Sequence, residues 1–232
     1  MIEMNIILTS LFPILLSLLL FEDAQATWSH SRHHERHNGL YKIQAGFEEL
    51  FEIRNDPPPP PPHEKVAKMA RYVVHLSDWI AISTISTRSP TVGRAFANVF
   101  SMSDGTNKNS SGVPFFYLTP MEMSVKDLQV DNHASMTASL AETNYCARME
   151  YDPMDPLCAH VILNGRIVKV TSTEEQAFAK RSLFSRHPEM ADWPKGHKWY
   201  FAKMNIESIL VLDFFGGAKS VSPESYFKAT PY

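Results

Sequence analysis

Ser182-Leu183-Phe184-Ser185-Arg186-His187-Pro188-Glu189-Met190 leads through Trp193-Pro194 to Trp199-Tyr200-Phe201 and then to Val211-Leu212-Asp213-Phe214-Phe215-Gly216-Gly217. His187 before Pro188 marks a helix or turn start, because the residue preceding proline is steered away from helical geometry. Residues 200–214 read as a last strand that stops at the glycine pair. Upstream, strand-like runs fall at 79–87, 94–102, 113–119, 133–140 and 160–170, each rich in β-branched or aromatic residues and bounded by turn formers. Residues 63–76 carry Val66, Met69, Ala70 and Val73 at helical spacing. Shorter helical segments fall around 120–130 and 173–185, the latter with Thr171-Ser172-Thr173-Glu174 supplying hydroxyls for a cap. Many strands and few helices predict a mainly β fold, a partly closed barrel with peripheral helices, in one domain at 63–232.

The start of the chain reads differently. Residues 6–21 are an apolar run broken by Thr9, Ser10, Pro13 and Ser17, followed by Ala24-Gln25-Ala26. This is the pattern of a secretory signal peptide, residues 1–26, cut after Ala26. The run is short for a membrane span of about 20 apolar residues, so no membrane insertion is expected. Residues 27–62 read as a flexible His/Pro-rich arm. His30, His33, His34 and His37 interleave with charges, 41–53 is a possible short helix, and 57–62 are six prolines that favour an extended spacer. The histidine cluster reads as a solvated tail rather than a metal site.

Removing Glu3, Glu22 and Asp23 with the signal leaves 22 acidic residues of 25 against 22 basic ones. A formal charge of zero argues against a bulk electrostatic partner such as nucleic acid. All ten histidines remain, so the protein becomes cationic near pH 5. Cys146 and Cys158, twelve positions apart, read as one disulfide in an oxidising lumen, closing a turn that holds Asp152-Pro153 and Asp155-Pro156. Asn109-Ser110-Ser111 is an N-glycosylation sequon in the polar segment 104–112, read as an exposed loop. Asn205-Ile206-Glu207 lacks the hydroxyl that would make another.

Several stretches together resemble the CREG family. They are Val74-His75-Leu76-Ser77-Asp78-Trp79, Ile82-Ser83-Thr84-Ile85-Ser86-Thr87, Phe96-Ala97-Asn98-Val99 with Ser101-Met102-Ser103-Asp104-Gly105, and Ser111-Gly112-Val113-Pro114-Phe115-Phe116-Tyr117-Leu118. Thr143-Asn144-Tyr145-Cys146, Asp155-Pro156-Leu157-Cys158 and the C-terminal stretch quoted first complete the likeness, which covers roughly residues 63–228. The resemblance implies a pyridoxamine-phosphate-oxidase-like, FMN-binding split β-barrel, usually a homodimer. It implies a secreted or endolysosomal glycoprotein that restrains growth, promotes differentiation and serves lysosomal maturation by binding lumenal or cell-surface proteins, with no cofactor and its flavin groove filled by its own side chains and loops. The C-terminal pattern also looks like haem-utilisation proteins of that fold, but no histidine follows His197 to match their haem ligand.

The alternative function is an FMN-dependent oxidoreductase. A flavin phosphate needs charge-assisted donors, and the candidates for a degenerate groove are Arg94, Ser101, Ser103 and Thr137. The strand after Arg94 contains no Lys or Arg, which weakens that site. A hydrolase fares worse: Ser101, Ser103, Asp104, His133 and His160 make a triad only on paper, no Gly-x-Ser-x-Gly elbow exists, and Ser103-Asp104-Gly105 reads as a turn. No metal site has ligand spacing, and no catalytic residue is assigned. Phe115, Phe116, Trp199, Tyr200, Phe214 and Phe215 are candidates for a dimer face, although alternation places most of them in a core.

Overall fold

Long β-rich runs separated by Gly, Pro and Asp build one antiparallel sheet. The computed structural model describes residues 57–232. The strands are β1 (Trp79–Ile85), β2 (Ala95–Ser101), β3 (Ser103–Thr106), β4 (Asn109–Leu118), β5 (His133–Ser139), β6 (His160–Lys169), β7 (Tyr200–Leu212) and β8 (Lys219–Val221). Their order is β2-β1-β5-β6-β7-β4-β3, with β8 also on β7. The helices are α1 (Val66–Leu76), α2 (Met123–Val130), α3 (Tyr145–Arg148), α4 (Thr173–Arg186) and α5 (Pro223–Lys228). The fold is mainly β, a split barrel with peripheral helices, as the sequence predicts.

β7 organises the sheet because its 13 residues outlast any single neighbour. One edge pairs with β6 along almost its whole length. The other edge takes β4 at Tyr200 to Lys203 and β8 at Ile209 to Val211. Where β6 meets β7 the register slips at Asn164/Gly165, a bulge that bends the sheet. The seven consecutive buried residues Met69 to His75 place α1 inside that bend, in contact with strands β3 to β8. Ile80, Ile82, Phe116, Met136, Leu163, Met204, Ile209 and Tyr226 complete the main core around it.

Adjacent residues of β4 serve opposite sides. Phe116 enters the main core, whereas Phe115 joins Val170, Ala179, Leu183 and Met190 in a second cluster beneath α4. Ser172 caps α4 by accepting from the Glu175 amide at 3.1 Å, as the hydroxyl-rich sequence before it suggests. Residues 59–232 form one compact unit. The expected signal peptide at 1–26 and the arm as far as residue 56 lie outside the described residues. Among those described, no helix is long and apolar enough to cross a membrane.

Two readings require correction. Ser103-Asp104-Gly105 is not a turn but most of β3. The segment 104–112 is not a loop but the β3–β4 hairpin, with Thr106 opposite Asn109. Polar composition misleads there because Ser103 and Asp104 are fully buried and find their partners inside the protein. β8, α3 and α5 had no counterpart in the reading, being three to six residues long.

Candidate functional site

The barrel is split where the free edge of β2 faces β4. A cavity of about 200 Å³ lies along this seam, lined by Asn98, Ser101, Tyr117, Thr119, Glu122 and Trp199 among others. Its aromatic wall is self-packed: Tyr117 stacks on Trp199 at 5.1 Å and on Phe201 at 5.0 Å, and Trp193 lies 4.7 Å from Trp199. The one ionisable carboxyl in the lining belongs to Glu122, which accepts from Asn98 Nδ2 at 2.8 Å and from the Val125 amide at 3.0 Å, capping α2. No Lys or Arg lines this cavity.

The four groove candidates are not brought together. Ser101 lines the seam. Arg94 is exposed at the other end of β2, roughly 20 Å away at 3.3 Å per strand residue. Ser103 is buried, and its hydroxyl donates to the Gly105 carbonyl and accepts from the Gly105 amide. Thr137 sits on β5 opposite Ala81 and Ile162, in the interior of the sheet. FMN does not fit the seam. The volume is below the ~300 Å³ at which small-molecule sites begin, and the charge offered to a phosphate dianion has the wrong sign.

A polar cluster that sequence reasoning missed lies under the hairpin. Asp104, fully buried, accepts from His75 Nδ1 at 2.7 Å, from the Ser110 hydroxyl, and from the Gly112 amide at 3.1 Å. Arg186 Nη2 stands 3.7 Å from the same carboxylate, and its Nε donates to the Gly105 carbonyl at 3.0 Å. Burial works to raise the Asp104 pKa, but the His75 and Ser110 hydrogen bonds and the His75 and Arg186 charges outweigh it and hold the carboxyl below its ordinary range. An ionised carboxylate only accepts, so the Nδ1 proton belongs to His75. Arg71 extends the cluster, donating to Ser110 Oγ at 2.8 Å and to the Ala229 carbonyl at 2.7 Å. Tyr226 donates its hydroxyl to the Gly112 carbonyl at 2.8 Å.

This cluster is a clamp rather than a hydrolytic triad. The carboxylate, not the imidazole, stands in the middle, so no base faces the Ser110 hydroxyl, which is itself a donor to Asp104. His133 pairs instead with Asp131 at 2.6 Å, and His160 contacts the Cys158 carbonyl at 3.4 Å. The signal in the sequence was the Arg186-His187 pair. His187 Nε2 lies 3.2 Å from the Met102 carbonyl, so both side chains anchor the end of α4 to β3 and its approach.

Cys146 and Cys158 form a disulfide with a Cα separation of 5.5 Å. Nearby, Glu142 closes a capping box with Ser139, yet its Oε2 has no hydrogen-bond partner. Burial pushes its carboxyl up to about 7, the hydrogen bonds from Ser77 and Ser139 oppose this, and the Asp78 charge adds to it. Asn109 is exposed at the tip of the hairpin, while Ser111 of its sequon donates to the Asp104 carbonyl at 2.6 Å. Phe115 and Phe116 are core residues, Trp199 and Tyr200 are half-buried, and Phe214 and Phe215 are exposed. Among the described residues no group of three His, Cys, Asp or Glu is placed to hold a metal.

Comparison with known proteins supplies the remaining context. The family model described as CREG, beta-barrel matches residues 61–228. Protein CREG1 of Gallus gallus is 54% identical over 170 residues, covering 72% of this chain and 88% of that one. Protein CREG1 of Homo sapiens is 52% identical over 167 residues, covering 72% and 76%. Human protein CREG2 is 42% identical over 165 residues, covering 71% of this chain and 57% of its own length. Among solved structures, a heme binding protein from Mycobacterium smegmatis superposes with a TM-score of 0.55 at 16% identity, covering 71% of this chain and 60% of that one. At that identity the likeness speaks to fold alone.

Proposed function

The chain belongs to the CREG family, and from that premise we propose that it is a secreted or endolysosomal glycoprotein that acts by binding other proteins, without catalysis, in growth restraint, differentiation and lysosomal maturation. The observation that carries this reading is the seam. Its cavity of about 200 Å³ is walled by stacked aromatics and a carboxylate, in a fold whose cofactor would need space and positive charge. The clamp around Asp104 is consumed by internal hydrogen bonds, which suits a rigid display scaffold.

The protein-binding form is a homodimer in this proposal. Val99, Ala81, Thr137, Ile162 and Leu210 form a continuous row across β2, β1, β5, β6 and β7 on the face opposite the core. Val99 is 59% exposed, and a row of small and branched side chains on the outer face of the sheet suits a second copy. Val99→Arg should halve the mass measured by light scattering; an unchanged mass would exclude this face.

The experiment that tests the function is an absorbance spectrum of the protein purified from a secreting host, repeated after addition of FMN and gel filtration. A colourless protein that retains no FMN, and whose melting temperature FMN leaves unmoved, is the expected result. A retained flavin band would overturn the reading in favour of an oxidoreductase. The glycan at Asn109 is tested by the mobility shift on enzymatic deglycosylation, which Asn109→Gln should abolish.

A further inference from the structure

A second, larger cavity of about 730 Å³ opens between α2 and the paired ends of β6 and β7. Its floor is apolar, made by Val125 and Leu128 of α2, Ile167 of β6 and Ala202 of β7. The only charged residues in its lining are Lys169 and Lys198. Neither ammonium makes an ion pair with a described residue. Lys169 Nζ stands 5.6 Å from the centre of the Tyr200 ring, a contact that leaves its charge unneutralised.

The carboxylates closest to this cleft along the chain are engaged elsewhere. Glu122 caps α2 and holds Asn98. Asp127 binds the Thr87 amide and hydroxyl and pairs with Arg88 at 2.6 Å. Asp131 pairs with His133. The cleft therefore keeps an apolar floor under two free positive charges.

Lys198 is also held in an unusual backbone state. Its φ of 56° places a non-glycine residue in the left-handed region, which costs about 1 kcal/mol or more unless neighbours enforce it. They do: the Thr119 hydroxyl donates to the His197 carbonyl at 2.6 Å, and the Trp199 indole donates to the Pro194 carbonyl at 3.0 Å. The segment on both sides of Lys198 is fixed, so the strain sets where this side chain leaves the backbone at the rim.

We propose that this cleft binds an amphiphile with one anionic headgroup on a single apolar chain, the headgroup between Lys169 and Lys198 and the chain along the floor of Val125, Leu128, Ile167 and Ala202. The volume falls inside the ~300–1,000 Å³ range of small-molecule sites. An apolar body needs no polar partner beyond the floor, and an anion is selected over a neutral or cationic head by the two ammonium groups. The site adjoins the seam, with Trp199 lining both, and does not rest on the protein-binding role.

The test is titration of the full secreted protein at pH 7 with laurate, dodecyl phosphate, dodecanol and dodecyltrimethylammonium by calorimetry, each below its aggregation concentration. Saturable binding of laurate or dodecyl phosphate at one site is expected, and the tighter of the two identifies carboxylate or phosphate as the headgroup. Dodecanol and dodecyltrimethylammonium should bind at least tenfold more weakly. Lys169→Glu and Lys198→Glu should each weaken the anion at least tenfold at an unchanged melting temperature, since both side chains are exposed. Leu128→Trp should block the floor and abolish binding of every chain. Absence of saturable anion binding, or charge reversals that leave affinity within twofold, would overturn the proposal.

Discussion

His75 Nδ1 lies 2.7 Å from Asp104 Oδ1, and both side chains are almost wholly withdrawn from solvent. The pair joins α1 to β3 and, through Ser110 and Arg186, to β4 and α4. Removing Asp104 leaves the His75, Ser110 and Gly112 donors and the nearby Arg186 charge without their buried acceptor, which costs about 3–5 kcal/mol. Asp104→Ala is expected to lose stability on that scale in urea unfolding. Asp104→Asn, which keeps the shape but not the charge, should lose less. A loss under 1 kcal/mol for Asp104→Ala would mean that the clamp carries no stability.

The Glu142 carboxyl, raised to about 7 from its ordinary 4.5, makes a pH prediction with the opposite sign to most acids. Between these values the folded protein binds a proton that the unfolded chain releases, so this group makes stability fall as pH rises from about 4.5 to 7. Asp104 is shifted down from 3.8, so its contribution is present throughout this window and is lost only on further acidification. Glu142→Gln should therefore stabilise the protein at pH 7.5 by about 1–2 kcal/mol, allowing for the partial solvent contact of the carboxyl, and change little at pH 4.5. Equal effects at both pH values would refute the shift.

Two glycines separate steric from conformational constraint. At Gly165, on the β6 bulge, an added Cβ would lie 2.0 Å from the Asn205 carbonyl oxygen, which is backbone and cannot yield. Gly93 has open space but a φ of +75°. Gly165→Ala is expected to cost about 2–3 kcal/mol or more through displaced β6–β7 pairing, and Gly93→Ala about 1 kcal/mol. Thermal melts of the two variants should rank in that order.

The Cys146–Cys158 bond closes a loop of twelve positions. Chain entropy assigns it roughly 3 kcal/mol. The Cys146→Ser/Cys158→Ser double variant should lose stability of that order, and reduction of the natural protein should reproduce the loss. If reduction leaves the melting curve unmoved, neighbouring packing rather than the cross-link holds this loop.

The strands were legible where alternation ran long: the runs read at 79–87, 133–140 and 160–170 lie within two residues of β1, β5 and β6. β3 was not, because Ser103, Asp104 and Gly105 are turn formers by composition and become strand only through β4 and α4. The cysteine pair could be read because its spacing and the expected secretory entry pointed the same way. The clamp could not, since His75, Asp104 and Arg186 lie far apart along the chain and no local pattern joins them. The groove candidates illustrate the same limit: Arg94 and Ser101 share a strand, but its length keeps them apart.

The long β7 strand also fixes the order in which the molecule can be completed. Helix α1 is synthesised early, yet Arg71 finds the Ala229 carbonyl 158 positions later, and β4 waits for the start of β7. Until then the apolar side of α1 and the inner face of β4 have no permanent cover. Such distant pairings make assembly slow and leave intermediates prone to association. The first helix is therefore completed by the last elements of the chain, since the Ala229 carbonyl holds Arg71 and Tyr226 fills the core beside it.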